Sequence, residues 1–464
     1  MNQIIANNPN TYKNPHGTSQ HTLKSSTQSS HKPTIICLIG DNVNGLGDNT
    51  IALDMLLAIK RIYDCYLVVF ARNVLQELLS ELDIVDEFCL LEGELTNPIN
   101  KTHINAYHAH YLITGSCKKW QLRFLRSTNV RTIITRMKLA TLLSPRIRSV
   151  AIFNRHTTHR EAGLLYARAV DSRHFDHMIG SVDYRDCMVA NDSSASRQRR
   201  SRVRAALRES LVWIGREDIV PDFAWDKQLE SKIAFTRAHR SLVESNRPRT
   251  LRKLTLANIM RESKPESSVD PRLNPSALSV SSSSMPLYLI LVNPFSVLAR
   301  YSLPPHLWLR LIDRIGTLPY CVPVVCTYDK VHLQFMEAIC AYDSASENSL
   351  PESSQATSNP QNTSTHHRLQ ERCIIYRNTS SLLDLAALIG QMSVIISPST
   401  GALHLAANLY TPTIALFPRD DDMRWRTQDK RFCFLPNPTT TLSDEEGAQV
   451  IENIITMLES MLKL

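Results

Sequence analysis

The sequence lacks several features that would place it in a well-defined class. No apolar run approaches the roughly 18 residues that span a bilayer, which argues against a membrane-spanning protein. The ten cysteines form no C-x-x-C pair and no Cys/His tract, which disfavours a zinc site or a disulfide framework and indicates reduced core thiols. The polar N-terminus contains no apolar segment typical of a secretory signal. These absences predict a cytoplasmic protein.

The composition predicts a folded chain of several domains. Of 464 residues, 43% are hydrophobic, enough to bury a core, and the length suggests two or three domains. The net charge of +8 is a mild excess for so long a chain. It favours anionic ligands or membrane surfaces and does not require nucleic acid as a partner.

Apolar strands alternate with helical periodicity in both halves of the chain, which predicts parallel sheets covered by helices. Low-complexity stretches interrupt this pattern. They are predicted to be disordered, because they cannot bury enough apolar area to order themselves. The predicted organisation is a disordered tail over 1–33, an N-terminal domain over 34–250, a Ser/Pro-rich linker over 251–285, a C-terminal domain over 286–440 with a disordered insert at 343–368, and a C-terminal helix over 441–464.

The first motif comprises Asn44, Gly45, Leu46, Gly47 and Asp48, between the first predicted strand and its helix. Glycines at the carboxyl end of a parallel strand let the backbone approach a ligand closely. The motif lacks both the lysine of a phosphate P-loop and the third glycine of a dinucleotide-binding loop. Asp48 could therefore serve as a general base, although on this motif alone a helix cap is the favoured interpretation.

The second motif runs from Ser397 to Ala407, after an apolar strand and into a helix. Small residues at such a turn expose backbone N–H groups and a helix dipole at one point, which suits a diphosphate. Ser399 could equally be an N-cap, and His404 an ordinary buried histidine. The residues alone leave these alternatives open.

A third motif and an arginine cluster complete the candidates. Asn293-Pro294-Phe295 ends a predicted strand and is followed by Arg300, a cation that could face an anion or simply lie at the surface. The arginines of segment 197–208 could bind phosphate or an acidic membrane, but a solvated helix face is favoured, because no aromatic residues are interleaved.

Together the three motifs resemble glycosyltransferase family 9, the ADP-heptose:lipopolysaccharide heptosyltransferases. The shared elements are G-L-G-D after the first strand, N-P-F in the second half, and S-T-G-x-x-H-L-A-A before P-T-x-A-L-F-P. A further segment, Phe153–Glu161, resembles part of the family's acceptor domain. The resemblance covers most of 34–170 and 287–418.

The resemblance implies a GT-B fold, with two Rossmann-like domains, a cleft between them, and a C-terminal helix that returns to the first domain. It implies that Asp48 is the catalytic base and that Asn44, Gly45 and Gly47 line the acceptor side of the cleft. On the donor side it implies binding by Arg300, Ser399, Thr400, Gly401 and His404. Ser399 stands where the family has an aspartate, and Asp329 is the nearest candidate for an acidic residue beside the ribose.

The implied function is an inverting, metal-independent glycosyltransferase that moves a heptose-like sugar from a nucleotide diphosphate to a lipopolysaccharide core acceptor. The implied partners are a nucleotide sugar, a lipid-linked saccharide and the inner-membrane surface, with no cofactor, metal or nucleic acid. Asp420, Asp421 and Asp422 are interpreted as a solvated acidic turn. The alternatives are a non-catalytic nucleotide-sugar or glycan-binding protein, motivated by Ser399 and the inserts, and an oxidoreductase, which the glycine pattern disfavours.

Overall fold

The computed structural model describes most of both halves of the chain. The described residues are 32–39, 46–79, 82, 84–115, 118–142, 144–152, 158–179, 194–214, 287–296, 302–318, 320–348, 368–379, 381–409, 411–418, 430–435 and 442–462. The predicted linker and the predicted tail, apart from its last two residues, lie outside these ranges.

The first domain is a parallel six-stranded sheet covered by helices. Its strands are β1 Thr34–Leu38, β2 Tyr66–Ala71, β3 Glu87–Leu90, β4 Tyr111–Thr114, β5 Thr132–Arg136 and β6 Ile147–Val150. The helices are α1 Leu46–Tyr63, α2 Asn73–Leu79, α3 Pro98–Ala106, α4 Lys119–Arg126, α5 Leu139–Leu142, α6 His159–Arg168 and α7 Ser172–Met178, and α8 Ser194–Trp213 follows them. All five residues of β1 are buried, as expected for an apolar strand covered on both faces.

The second domain repeats this arrangement. Its strands are β7 Tyr288–Val292, β8 Cys321–Thr327, β9 Ile374–Arg377, β10 Val394–Pro398, β11 Thr413–Pro418 and β12 Lys430–Leu435. The helices are α9 Pro305–Gly316, α10 Asp329–Asn348, α11 Leu369–Arg372, α12 Leu382–Gln391, α13 Gly401–Asn408 and α14 Asp444–Leu462.

Both sheets have the strand order of a Rossmann-like domain. The first runs β3-β2-β1-β4-β5-β6 and the second, read in the same sense, β9-β8-β7-β10-β11-β12, with every pairing parallel. The order in which successive strands are added to the sheet reverses between β1 and β4 and again between β7 and β10. In such sheets ligands bind outside the carboxyl ends of the strands at this switch point. The prediction of two Rossmann-like domains is therefore confirmed.

The two domains pack against each other through helices. One hydrophobic core contains residues from both, including Leu53 and Leu56 of α1 and Leu405 of α13. Polar contacts cross the same interface: the Asn408 side-chain amide donates to the carbonyl of Thr50 at 3.0 Å. The amide N–H of Leu382, the first residue of α12, donates to the carboxylate of Glu77 in α2 at 2.6 Å. The first turns of α1 consequently lie beside α13.

Helix α8, which carries the arginine cluster, packs on the second domain, against α12 and β9. Apolar residues spaced four apart turn one face of this helix into the core, and the end of the first domain at residue 250 stays a prediction. Those buried residues are Val203, Leu207 and Leu211.

The arginines of α8 make specific contacts with α12. The guanidinium of Arg199 lies 3.2 Å from Asp384 Oδ1, and Arg202 donates to the same oxygen. Arg204 donates to the side-chain carbonyl of Gln391 at 3.1 Å. The Asp384 side chain is only 1% exposed. The favoured interpretation of a solvated helix face is thus correct only in part, since these three arginines join α8 to the second domain.

Helix α14 covers the second domain. Its return to the first domain stays a prediction. Its buried residues belong to the same core as Leu307 and Trp308 of α9. A capping box opens the helix: the backbone N–H of Ser443 donates to the Glu446 carboxylate at 2.9 Å, and the N–H of Glu446 donates to the Ser443 hydroxyl at 3.2 Å.

The predicted insert begins too early at residue 343. Helix α10 continues to Asn348, and Asp343 is buried, accepting the backbone N–H of Leu369 at 2.8 Å. This contact ties the end of α10 to the start of α11, where the insert was predicted to end. Residues 349–367 lie outside the described part of the chain.

The eight cysteines of the described ranges are free, and all but Cys340 are buried or partly buried. Burial raises the pKa of Cys37 well above its usual value and that of Cys373 to about 12. The prediction of core thiols is confirmed for these seven. None of the described helices combines the length and the apolar character that crossing a bilayer requires.

Candidate functional site

Three polar side chains meet at the switch point of the second sheet. Asn293 follows β7, Ser397 lies in β10, and Thr400 precedes α13. The Asn293 amide donates to the hydroxyls of Ser397 at 3.0 Å and Thr400 at 3.1 Å, and these two hydroxyls are 2.9 Å apart. The second and third sequence motifs are therefore joined by direct hydrogen bonds, which form because β7 and β10 are neighbours.

The cluster leaves the N-terminus of α13 without a side-chain cap from its N-cap residue. Thr400 occupies the N-cap position with extended backbone angles, but its hydroxyl is used by Asn293 and Ser397 and makes no capping bond. Ser399, Thr400 and Gly401 are all partly exposed. The alternative of Ser399 as the N-cap is therefore wrong, because the N-cap is the next residue, Thr400. A helix start with accessible amide groups attracts an anion.

His404 lies one turn into α13 and is 3% exposed. Its neighbours Leu403 and Leu405 on the helix are fully buried, so this turn of α13 lies in the interior. The burial supports the packing alternative for His404. A donor-binding role for it remains a prediction.

The carboxyl ends of the next strands supply further polar and aromatic groups. After β8, Asp329 begins α10 and accepts hydrogen bonds from Arg377 at the end of β9, at 2.9 and 3.2 Å. Its carboxylate, the candidate for a ribose contact, is thus already paired with a cation at the surface. Phe295 and Tyr328 meet edge to face with ring centroids 5.9 Å apart beside this pair.

Asp48 lies in the first turn of α1, which begins at Leu46. The favoured interpretation of Asp48 as an N-cap is therefore wrong, because the helix starts two residues before it. Gly47 is also within this turn. The position of Asp48 is two residues from Thr50, whose carbonyl is bonded to Asn408 of α13. The helix that carries the proposed base and the helix with the exposed amides are hence in direct contact.

Three predicted site residues, Asn44, Gly45 and Arg300, lie outside the described ranges. So do residues 153–157 of the acceptor-like segment and the predicted acidic turn at Asp420, Asp421 and Asp422. At the end of the acceptor-like segment, Thr158 and Glu161 form a capping box that opens α6. These two residues therefore have a structural role.

Sequence reasoning assigned the third motif's function to Arg300 and did not assign roles to Asn293 or Ser397. Both are polar residues at the ends of predicted apolar strands, and that position is the signal that could have identified them. What the sequence could not supply was the pairing of β7 with β10, which brings residues about a hundred positions apart into contact.

Comparison with protein families gives one match. Residues 351–451 match the model of glycosyltransferase family 9 (heptosyltransferase), a range that contains the whole of the second motif. A comparison with curated proteins gave no match. The predicted resemblance is confirmed, and on the family match the chain is a glycosyltransferase.

Two solved structures share the fold. The glycosyl transferase family 9 protein from Veillonella parvula DSM 2008 aligns with a TM-score of 0.52 and 10% identity, over 93% of this chain and 97% of that one. The E. coli ADP-heptose lps heptosyltransferase II aligns with a TM-score of 0.51 and 12% identity, over 92% and 99%. At such identities the likeness shows the fold alone, which is the GT-B fold that the motifs implied.

Proposed function

We propose that this glycosyltransferase moves a heptose-like sugar from ADP-heptose to a lipopolysaccharide or lipooligosaccharide core acceptor, with inversion and without a metal. The observation that carries the proposal is the hydrogen-bonded cluster of Asn293, Ser397 and Thr400 at the open start of α13. The proposal also agrees with the activity in the name of the E. coli protein of the same fold, ADP-heptose lps heptosyltransferase II.

The second domain binds the donor in this proposal. The N–H groups at Thr400 and Gly401, together with the dipole of α13, stabilise the negative charge that develops on the leaving diphosphate. Arg300 supplies a cation to the same group. Ser399 offers a neutral hydroxyl to the donor sugar where the resembling family has a carboxylate. These groups would supply the charge stabilisation that a metal ion gives in other transferases.

The first domain binds the acceptor. Asp48 removes the proton from the acceptor hydroxyl as it attacks the anomeric carbon, and the bond to the diphosphate breaks on the opposite face, which inverts the configuration. Asn44, Gly45 and Gly47 line the approach to this base. The packing of α1 against α13 supports this assignment, because it brings the two halves of the reaction to one interface.

The acceptor is a saccharide linked to a lipid, so the enzyme works at the cytoplasmic face of the inner membrane as a peripheral protein. The alternative is a binding protein that has kept the fold and lost the chemistry, which the neutral Ser399 favours. Binding and turnover must therefore be measured separately.

The proposal is tested by nucleotide-dependent thermal stability together with a transfer assay. ADP at about 100 times its dissociation constant should stabilise the protein by about 2.7 kcal/mol, whereas UDP should stabilise it less. ADP-heptose and a truncated lipopolysaccharide should release ADP, at the same rate with or without EDTA. Stabilisation without turnover would leave the binding-protein alternative, and stabilisation by UDP alone would contradict the donor.

The Asn293→Ala variant should weaken ADP binding by about tenfold, since a net hydrogen bond of about 1 kcal/mol holds each hydroxyl of the cluster. Without the amide, the Thr400 hydroxyl can rotate to cap α13 and compete with the diphosphate. Titration calorimetry with ADP measures the change. Asn129→Ala, which removes a side-chain amide bonded to the Asn105 carbonyl in the first domain, is the matched control and should bind ADP normally.

A further inference from the structure

The net positive charge of the chain comes from one segment of the first domain. Between Glu94 and Glu161 there is no aspartate or glutamate, while this stretch holds 12 of the 52 lysines and arginines. The remainder of the chain has 40 basic and 44 acidic residues and is slightly negative. The excess of +8 therefore comes entirely from the elements β4 to β6 and their surroundings.

Part of this charge is structural. Arg146 donates to the carbonyls of Arg126, Thr128 and Val130, and Arg148 donates to carbonyls that follow α6. Among the described residues, the basic side chains that remain exposed near the carboxyl edge of the sheet are Lys118, Lys119, Arg123 and Lys138.

Helix α5 has its apolar residues turned outward. Leu139 is 86% exposed and Leu142, one turn later, is 56% exposed, whereas Thr141 between them is buried. The Thr141 hydroxyl accepts the backbone N–H of Lys138 at 2.9 Å and lies 2.8 Å from the Ser149 hydroxyl. An ordinary surface helix buries its leucines and exposes its threonine. These hydrogen bonds hold α5 with its leucines exposed and its threonine buried. Contact with an apolar partner would remove the two leucine side chains from water.

Helix α4 adds an aromatic residue and cations beside it. Trp120 is 43% exposed, and the Lys118 ammonium lies 5.9 Å from its ring. Lys119 and Arg123, one turn apart, are exposed, while Leu122 and Leu125 are buried on the opposite face. The helix therefore shows a basic and aromatic face to solvent.

The two helices lie at the same edge of the sheet as the proposed catalytic base. They follow β4 and β5, which pair with each other, and β4 pairs with β1. The Thr135 hydroxyl at the end of β5 donates to the carbonyl of Gly115 after β4 at 2.6 Å, which joins the two strand ends. A substrate held at the carboxyl edge near Asp48 would approach past this region.

We propose that the exposed faces of α4 and α5 form a docking surface for an anionic lipid bilayer, made of Trp120, Leu139 and Leu142 with the cations Lys118, Lys119, Arg123 and Lys138. Leu139, Leu142 and Trp120 enter the boundary between headgroups and acyl chains, and the cations contact lipid phosphates. A nucleic acid is a poorer match, because Trp120 is the only exposed aromatic residue of the surface and base stacking uses several. The inference rests on the proposed function, in which the acceptor is lipid-linked.

The test is co-sedimentation of the full chain with phosphatidylcholine vesicles, with and without phosphatidylglycerol. The native protein should bind only the anionic vesicles, and less at high salt. Leu139→Ser with Leu142→Ser should weaken binding by about tenfold, because the two side chains can no longer be buried in lipid. Lys119→Glu with Arg123→Glu should weaken it by at least about tenfold, since each cation near the surface contributes about fivefold.

Matched controls test whether the loss of vesicle binding is specific to this surface or follows from changing any exposed leucine or any surface cation. Leu333→Ser, at a leucine 74% exposed on α10, and Arg173→Glu, at an exposed arginine of α7, should bind vesicles as the native chain does. Native binding to neutral vesicles alone, no vesicle binding at all, or equal loss in the controls would overturn the docking surface. ADP stabilisation of the same variants is the independent readout: if ADP stabilises none of the proteins while vesicle binding follows the surface residues, the proposed function fails and the docking surface stands.

Discussion

The Asp48→Asn variant should lose sugar transfer by about 10²–10⁴-fold, because an amide cannot accept the proton of the acceptor hydroxyl. The affinity for ADP should stay within about twofold, because the proposed nucleotide contacts belong to the second domain. Loss of a direct hydrogen bond to ADP would lower the affinity by more than this. Steady-state release of ADP, with calorimetry for binding, measures both. The fall should appear in kcat more than in KM, since the proton moves only in the transition state.

Asp54→Asn is the control for this experiment. Asp54 lies in the same helix, α1, so its substitution removes one carboxylate from that helix as Asp48→Asn does. It should keep normal turnover. Near-normal turnover of a folded Asp48→Asn protein would show that the base is another residue, whereas equal loss in both variants would indicate that α1 itself has been disturbed.

The Asp384→Ala variant should destabilise the second domain by about 3 kcal/mol, the lower end of the cost of breaking a buried ion pair from one side, because the Arg202 side chain is 60% exposed. Asp384 is 1% exposed and receives Arg199 and Arg202 from α8, so its removal takes away the carboxylate that compensates the two cations. Urea unfolding followed by circular dichroism gives the change in free energy.

Asp329→Ala provides the contrast on stability. Its pair with Arg377 has the same chemistry, but the two side chains are 67% and 51% exposed, and such pairs contribute about 0–1 kcal/mol. If Asp384→Ala were no more destabilising than Asp329→Ala, the arginines of α8 would be surface residues after all. Asp384→Asn should recover part of the loss, since its carbonyl can still accept from Arg202.

The regular elements with continuous apolar strands were predictable from local pattern. Strands β1 and β7 are short, almost entirely apolar runs, and both lie in the middle of their sheets, where two covered faces require such a run. Strands β3 and β9, which lie at the sheet edges, went unpredicted because each has only four residues, and so short an apolar run does not by itself distinguish a strand from part of a helix.

Some residues of the candidate site were likewise predictable from local pattern, and others were not. Thr400 and Gly401 could be placed at a helix start because a strand, a turn of small residues and a helix follow one another in the chain. Asn293 and Ser397 could not be assigned to one cluster, since their contact depends on which strands are neighbours. The inverted leucines of α5 were equally hidden, because a four-residue helix is too short for its outward face to be read from periodicity.

The sequence by itself determined the two α/β halves, the open turn before α13 and the family resemblance, because each depends on residues within a few positions of one another. Tertiary structure decided which elements meet: α8 with α12 through an ion pair 182 residues apart, α14 with the second domain, and α1 with α13. Local propensity acts over one or two helical turns, whereas such contacts are selected by the burial of whole faces, which no single segment encodes.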